Sequence, residues 1–152
     1  MSAADQLARL GLTLPDVPAP VANYLPGKRI GDLIYLSGQG PRMPDGSYHQ
    51  GKVGTEVSVA DAYDHARLAG LTLLAAVQLL GVDLDTVEVV KILGMVNGAP
   101  DFGAHPAVIN GCSDLMVEVL GDRGRHARSA VGMGSLPNNM TVEIEAIFRL
   151  IE

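Results

Sequence analysis

The stretch that decides the fold runs Ala127-Arg128-Ser129-Ala130-Val131, then Leu136-Pro137, then Val142-Glu143-Ile144-Glu145-Ala146-Ile147. It reads as two strands joined by a turn. In the second strand Val142, Ile144, Ala146, Phe148 and Leu150 alternate with Glu143, Glu145, Ile147, Arg149 and Ile151, the period-2 pattern of a half-buried strand. Glu143 and Glu145 therefore share one sheet face. A guanidinium among apolar strand residues is costly unless it meets a carboxylate, the protein's own or a ligand's. If the two strands pair, Arg128 lies near one of the glutamates. It then either forms a cross-strand ion pair, which spacing alone favours, or grips an anionic ligand while a glutamate orients or deprotonates a water.

Upstream of this stretch, Pro106 suits a first helical turn, and Val108, Cys112, Leu115, Met116 and Val119 form the stripe of a helix ending at Gly121. Val87–Val96 is a near-continuous apolar strand. Ser58 caps a helix from Val59 to Leu80 that stops at Gly81. Leu71, Leu74 and Leu79 lie off its main stripe, so its second half is covered on more than one side. Ala22–Leu25, Arg29–Ile30 and Leu33–Ser37 read as strands, Pro41–Gly54 as a surface loop, and Gly38-Gln39-Gly40 as the opening of a loop rather than a dinucleotide fingerprint. Residues 1–19 form a short helix, Ser2–Leu10, followed by an arm kept extended by Pro15 and Pro18.

The order is strands, helix, strand, helix, two strands. It implies one α+β domain spanning residues 1–152, with two main helices on one face of a mixed sheet. No helices remain for the other face, and association of sheets between subunits would cover it. Only 18% of the 152 residues are charged and 47% are hydrophobic, which also fits an oligomer. The net charge of -6 argues against a general nucleic-acid or acidic-membrane binder. The basic cluster Arg123-Gly124-Arg125-His126-Ala127-Arg128 is the local exception, read as a solvated loop with one functional arginine at its end. Cys112 is the single cysteine, a small buried helix residue rather than a nucleophile. No leader peptide or membrane-length apolar run is evident, so a cytoplasmic location is expected. The four histidines show no metal-ligand spacing, so no metal is expected. Read singly, Ser37 is a strand-end serine bonding local backbone, Tyr24 a packing aromatic, and Asn110 a polar residue beside a helix stripe.

Taken together, these residues resemble the RidA family, also called YjgF. The resemblance rests on Ala127-Arg128-Ser129-Ala130-Val131, Leu136-Pro137 and Val142–Ile147. To these it adds Tyr24, Ser37-Gly38-Gln39, Asp101-Phe102 and Ile109-Asn110. It implies a chorismate-mutase-like fold, a homotrimer with a central barrel of sheets, and ligand sites in clefts between subunits. The implied activity is hydrolysis of 2-imino acids and their enamine tautomers to 2-keto acids and ammonia, without metal or organic cofactor. Arg128 then matches the residue that grips the substrate carboxylate, and Glu143 the one that orients the attacking water. Tyr24, Ser37, Gly38, Asn110 and Ala130 match other pocket positions. The family often has cysteine where this chain has Ala130, which removes a thiol but keeps the backbone groups. The segment from Asp101 to Arg128 is longer than in short members, through residues 103–106 and 121–126. The alternative from a different class is a regulatory trimer that binds small carboxylates without turnover. A ribonuclease using Arg123, Arg125, His126 and Arg128 is a third reading, against which the acidic charge and the few aromatics weigh.

Overall fold

Two consecutive hairpin strands start the sheet. In the computed structural model, which describes residues 1–151, β1 (Gly27–Ile30) and β2 (Leu33–Gln39) pair antiparallel across Gly31-Asp32, with Gly31 at φ +60°. Glu152, the last position of the expected domain, lies outside the described residues. Three further strands follow: β3 (Val87–Asn97), β4 (Ala127–Met133) and β5 (Val142–Leu150). The helices are α1 (Ala3–Arg9), α2 (Val59–Leu79) and α3 (His105–Leu120). The sheet is mixed, in the order β1-β2-β5-β3-β4. β5 pairs antiparallel with both β2 and β3, while β4 pairs parallel with β3. A parallel neighbour needs a crossover, and α3 supplies it.

This topology corrects one expectation. The strand carrying Arg128 and the strand carrying Glu143 are consecutive in the chain but are not paired, because β3 lies between them. A second correction concerns Ala22–Leu25, which forms bends rather than a strand. Proline at positions 18, 20 and 26 withholds ladder donors from this arm. A third is that Gly38 and Gln39 belong to β2 instead of opening a loop. Leu36 faces Ala146 and Gln39 faces Ile144, so β2 carries one extra residue, a bulge at Ser37-Gly38.

Alternation sets the layers. Ile34, Ile92, Val96, Val142, Ile144 and Phe148 are fully buried against the helices. Glu143, Glu145 and Ile147 of β5 point to the opposite face, with Tyr35 of β2 and Lys91, Leu93 and Met95 of β3 in register beside them. Tyr35 is 45% and Val131 38% exposed there, so this second face carries apolar surface without a cover. Ser58 caps α2 by accepting from the Asp61 amide, and Gly81 ends the helix at φ +76°. Residues Ala69–Val77 of α2 are buried on every side, as its off-stripe leucines require.

Two contacts tie this layer to the site region. α2 and α3 approach to backbone distance: a Cβ on Gly111 would stand 1.9 Å from the Tyr63 carbonyl oxygen. His65 of α2, itself buried, lies 2.9 Å by Nδ1 from the Thr141 hydroxyl and stacks on His49 at 4.0 Å between ring centres. Among the described residues no helix is long and apolar enough to cross a membrane.

Candidate functional site

The residues singled out from the sequence fall into two groups on opposite sides of the sheet. The first group is at the β4 edge. Arg128 faces Ile92 in the β3 ladder, and Ile92 faces Ala146 in β5. Arg128 therefore shares the helix-side face with these buried residues. Its Nη1 donates to Asn110 Oδ1 at 2.8 Å and to Ser113 Oγ at 3.1 Å, both on α3. Asn110, the polar residue beside the helix stripe, is thus a partner of Arg128. Ala130, two residues along and on the same face, lies opposite Gly94 and packs half-buried against the core.

Glu143 lies elsewhere. It is three residues from Ala146 on β5, which puts it on the other face. Two strands across and three residues along place its Cα roughly 14 Å from that of Arg128. Glu145, opposite Leu93, shares that other face, so the expected pairing of Arg128 with one of the two strand glutamates is absent. Arg128 forms no ion pair with any carboxylate among the described residues; the pairs present are Arg67–Glu118, Arg123–Asp85, Arg125–Asp122 and Arg149–Glu88. Arg123 also donates to the carbonyls of Leu84 and Val87, so it ties down the loop before β3 and is not part of a free basic patch.

The second group gathers around Glu143. Its Cδ and Cγ lie 3.1 Å from where a Cβ on Gly38 would stand, so the glycine leaves the room that the carboxyl occupies. Burial, and then the charge of Glu145, raises the Glu143 pKa above its ordinary value. A cavity of about 240 Å³ beside it is lined by Tyr24, Gly38, Gln39, Tyr48, Met140 and Glu143. An adjoining trough of about 470 Å³ brings in Ser37, Tyr35 and Glu145, again with Tyr24. Ser37 donates its hydroxyl to the Leu25 carbonyl and its amide to that of Pro26, which fastens the arm carrying Tyr24. Tyr24 is 50% exposed and its ring overlooks both depressions.

The chemistry is thus divided. One group offers a fixed cation beside the open sheet edge. The other offers a carboxyl whose raised pKa favours proton exchange, under a tyrosine. Over residues 4–148 the chain matches the family described as "YjgF/chorismate_mutase-like, putative endoribonuclease". It belongs to the YjgF family. It is 43% identical to the protein Atu1372 of Agrobacterium tumefaciens, whose crystal structure matches with a TM-score of 0.89 over 97% of this chain and 92% of that one. It is 38% identical to the protein TCP17 of Trypanosoma cruzi, over 97% of this chain and 93% of that protein. It is 30% identical to the 2-iminobutanoate/2-iminopropanoate deaminase of Dermatophagoides farinae, over 90% of this chain and 92% of that enzyme. The mixed sheet with its helices on one face is accordingly the chorismate-mutase-like α+β fold of the YjgF proteins.

Two further residues of this YjgF chain, Ser113 and His126, complete the first group. Ser113 follows Asn110 by three positions on α3, so both side chains lie on one helix face toward Arg128. His126 sits inside the basic cluster and was read only as part of it. Its Nε2 is 2.9 Å from Ser113 Oγ and its Nδ1 2.6 Å from the Gly124 carbonyl oxygen. The i, i+3 spacing of Asn110 and Ser113 was the available signal for the first; the basic cluster and the ribonuclease reading included the second, but no local pattern marks its contact with Ser113. Cys112, next to Ser113 on α3, is fully buried, and burial pushes its thiol up to about 12, which removes it as a nucleophile.

Proposed function

We propose that this chain hydrolyses reactive 2-imino acids and their enamine tautomers to 2-keto acids and ammonia, in a cleft between subunits of a homotrimer. The observation that carries this reading is Arg128. It is a guanidinium held from behind by Asn110 and Ser113, with no ion pair to a carboxylate among the described residues. A cation so placed is matched to a ligand carboxylate, which its planar fork binds in a bidentate pair. The relation to a deaminase of 2-imino acids supports the choice of ligand.

The division of the site supports assembly of subunits, and the resemblance to the RidA family supplies the trimer. Within one chain Arg128 and Glu143 occupy opposite sheet faces, so neither group alone holds a substrate and a water. A second copy that brings its Tyr24–Gly38–Glu143 face against the β4 edge completes the pocket and covers the apolar sheet face around Tyr35 and Leu93. In that arrangement Arg128 fixes the carboxylate and aligns the imine carbon. Glu143 holds a water for attack, takes up its proton and relays it to the nitrogen, and the carbinolamine hydroxyl proton follows by the same route as the C–N bond breaks. Backbone groups near Ala130 and Gly38 steady the nitrogen, and ammonia leaves the tetrahedral carbinolamine. Positioning supplies much of the rate, because an imine is intrinsically reactive. The residues need no metal or organic cofactor for this chemistry.

The test is direct. An amino-acid oxidase generates 2-imino acids from several amino acids in the presence of semicarbazide, and semicarbazone formation is followed with and without this protein. Suppression that disappears in Arg128→Ala establishes the deaminase. Binding of 2-oxobutyrate with no suppression across the panel replaces it with a carboxylate-binding trimer. Salt-dependent RNA cleavage would instead favour the endoribonuclease named in the family description.

A further inference from the structure

The four side chains behind the β4 edge form a chain of hydrogen bonds whose direction can be read. A carbonyl oxygen only accepts, so the proton at the 2.6 Å contact between His126 and Gly124 is on Nδ1. Burial lowers the pKa of His126, against the bond to Gly124 that raises it and with the neighbouring charge of Arg128, so the environment favours the neutral ring. Its Nε2 is then a bare acceptor, and the Ser113 hydroxyl donates its only proton to it. That turns the serine lone pairs toward Arg128, where Nη1 donates into them. Asn110 Oδ1 accepts from the same Nη1. The nitrogen carries two hydrogens, so both are committed. Among the described residues, Nε and Nη2 of Arg128 have no partner.

We propose that Ser113 and His126 are positioning residues for Arg128: the order Gly124 carbonyl, His126, Ser113, Arg128 commits Nη1 and leaves the Nε–Nη2 edge to receive the substrate carboxylate side-on. The inference rests on the functional reading above and specifies how its arginine is held. Two parallel donors lie along that edge, and they match the two oxygens of a carboxylate. Without the histidine the serine hydroxyl loses the acceptor for its proton, and its lone pairs are no longer held on the line to Nη1. Without the serine, one Nη1 hydrogen is released to seek water or the ligand, and end-on binding competes with side-on. The carboxylate is then held less tightly in the ground state and the transition state alike, even though the charge is still present.

The consequence is a specific pattern of kinetics. Ser113→Ala is expected to raise KM for 2-iminobutanoate roughly tenfold, the scale of a hydrogen bond to a charged group, with kcat within about twofold. His126→Phe, which keeps a ring without its nitrogens, is expected to raise KM severalfold in the same way. His126→Gln keeps one donor and one acceptor and is expected to stay within about twofold of native. In the double variant Ser113→Ala/His126→Phe, the histidine change adds nothing further, because it acts only through the serine.

The panel is measured by semicarbazide competition for turnover and by calorimetry with 2-oxobutyrate for binding, with Arg128→Ala alongside. Additive losses in the double variant overturn the relay, as does an unchanged KM in both single variants while Arg128→Ala is inactive. If Ser113→Ala fails to fold, the contrast between His126→Phe and His126→Gln decides. Equal losses in those two overturn the proposal. Unchanged turnover and binding in Arg128→Ala overturn the functional reading beneath it instead.

Discussion

The β4 edge and the Glu143 face hold their functional groups by different means. At the edge, Arg128 is fixed by side-chain hydrogen bonds from a helix whose own position is set by backbone contact. At the Glu143 face the carboxyl is accommodated by what is missing: Gly38 has no Cβ, and a bulge in β2 turns Ser37-Gly38 out of the ladder. The first arrangement suits a group that must not move, since a carboxylate anchor defines where the reacting atom lies. The second suits a group that must exchange protons, because burial rather than a fixed partner sets its affinity for them. The contrast separates binding from chemistry and assigns them to different parts of the chain.

Substitutions can break this contrast, and the expected effects fall in a definite order. Arg128→Ala removes the anchor, and kcat/KM for imine hydrolysis is expected to drop about a thousandfold or more, as for loss of a buried charged contact, with the oligomer unchanged by light scattering. Glu143→Gln leaves binding intact and lowers kcat by about a hundredfold, the scale of general-base catalysis. In the native chain the raised Glu143 pKa places the acid limb of the rate profile above the ordinary value of 4.5, and the limb vanishes in the glutamine variant. Gly38→Ala pushes a methyl against the Glu143 carboxyl and is expected to cost kcat about tenfold with little change in KM. An equal rise in KM would mean that the two functions are not separated.

Subunit mixing sharpens the same point. Arg128→Ala and Glu143→Gln chains, unfolded together and refolded, are expected to recover about a quarter of native activity, because random assortment pairs an intact arginine with an intact glutamate at one interface in four. No recovery would place both residues' work within one subunit, against the face assignment. The smallest effect concerns support. His65 is buried and its pKa is lowered to about 4 from 6.5, chiefly by burial and then by His49. The unfolded chain therefore binds a proton more readily, so this contribution to stability is complete above pH 6.5 and is lost as pH falls toward 4. Thermal melting should decline across that window, and the decline should flatten in His65→Gln. Activity at neutral pH should change little unless the His65–Thr141 contact, two residues before Glu143, also steadies the carboxyl.

Much of this was legible in the sequence because it depends on local period and punctuation. The alternation from Val142 to Leu150 identifies β5 and its two faces, and Ser58 and Gly81 bracket α2. What was not legible is strand order. Arg128 and Glu143 look like neighbours because their strands are consecutive, yet the parallel placement of β4 beside β3 separates them by a strand and by a face. No local pattern encodes that step, since a strand beside a parallel partner and one beside an antiparallel partner can share the same alternation. Tyr24 was expected on a strand, yet it is carried by a bent arm fastened by hydrogen bonds from Ser37 to Leu25 and Pro26. His126 was hidden for a similar reason: its role depends on a carbonyl two residues away and on a serine from another element.

Gly111 stands immediately after Asn110, and the Tyr63 carbonyl fills the place its side chain would take. Contact between two backbones has no rotamers and little compressibility. It works as a mechanical stop: the helix can seat no deeper, and packing elsewhere keeps it from lifting away. Repacking among the leucines and valines around it should therefore leave the carboxamide that meets Arg128 at the same height above the sheet. Core side chains can be exchanged while the calibration of the anchor stays constant, and the tolerance of the site is set by one absent methyl group.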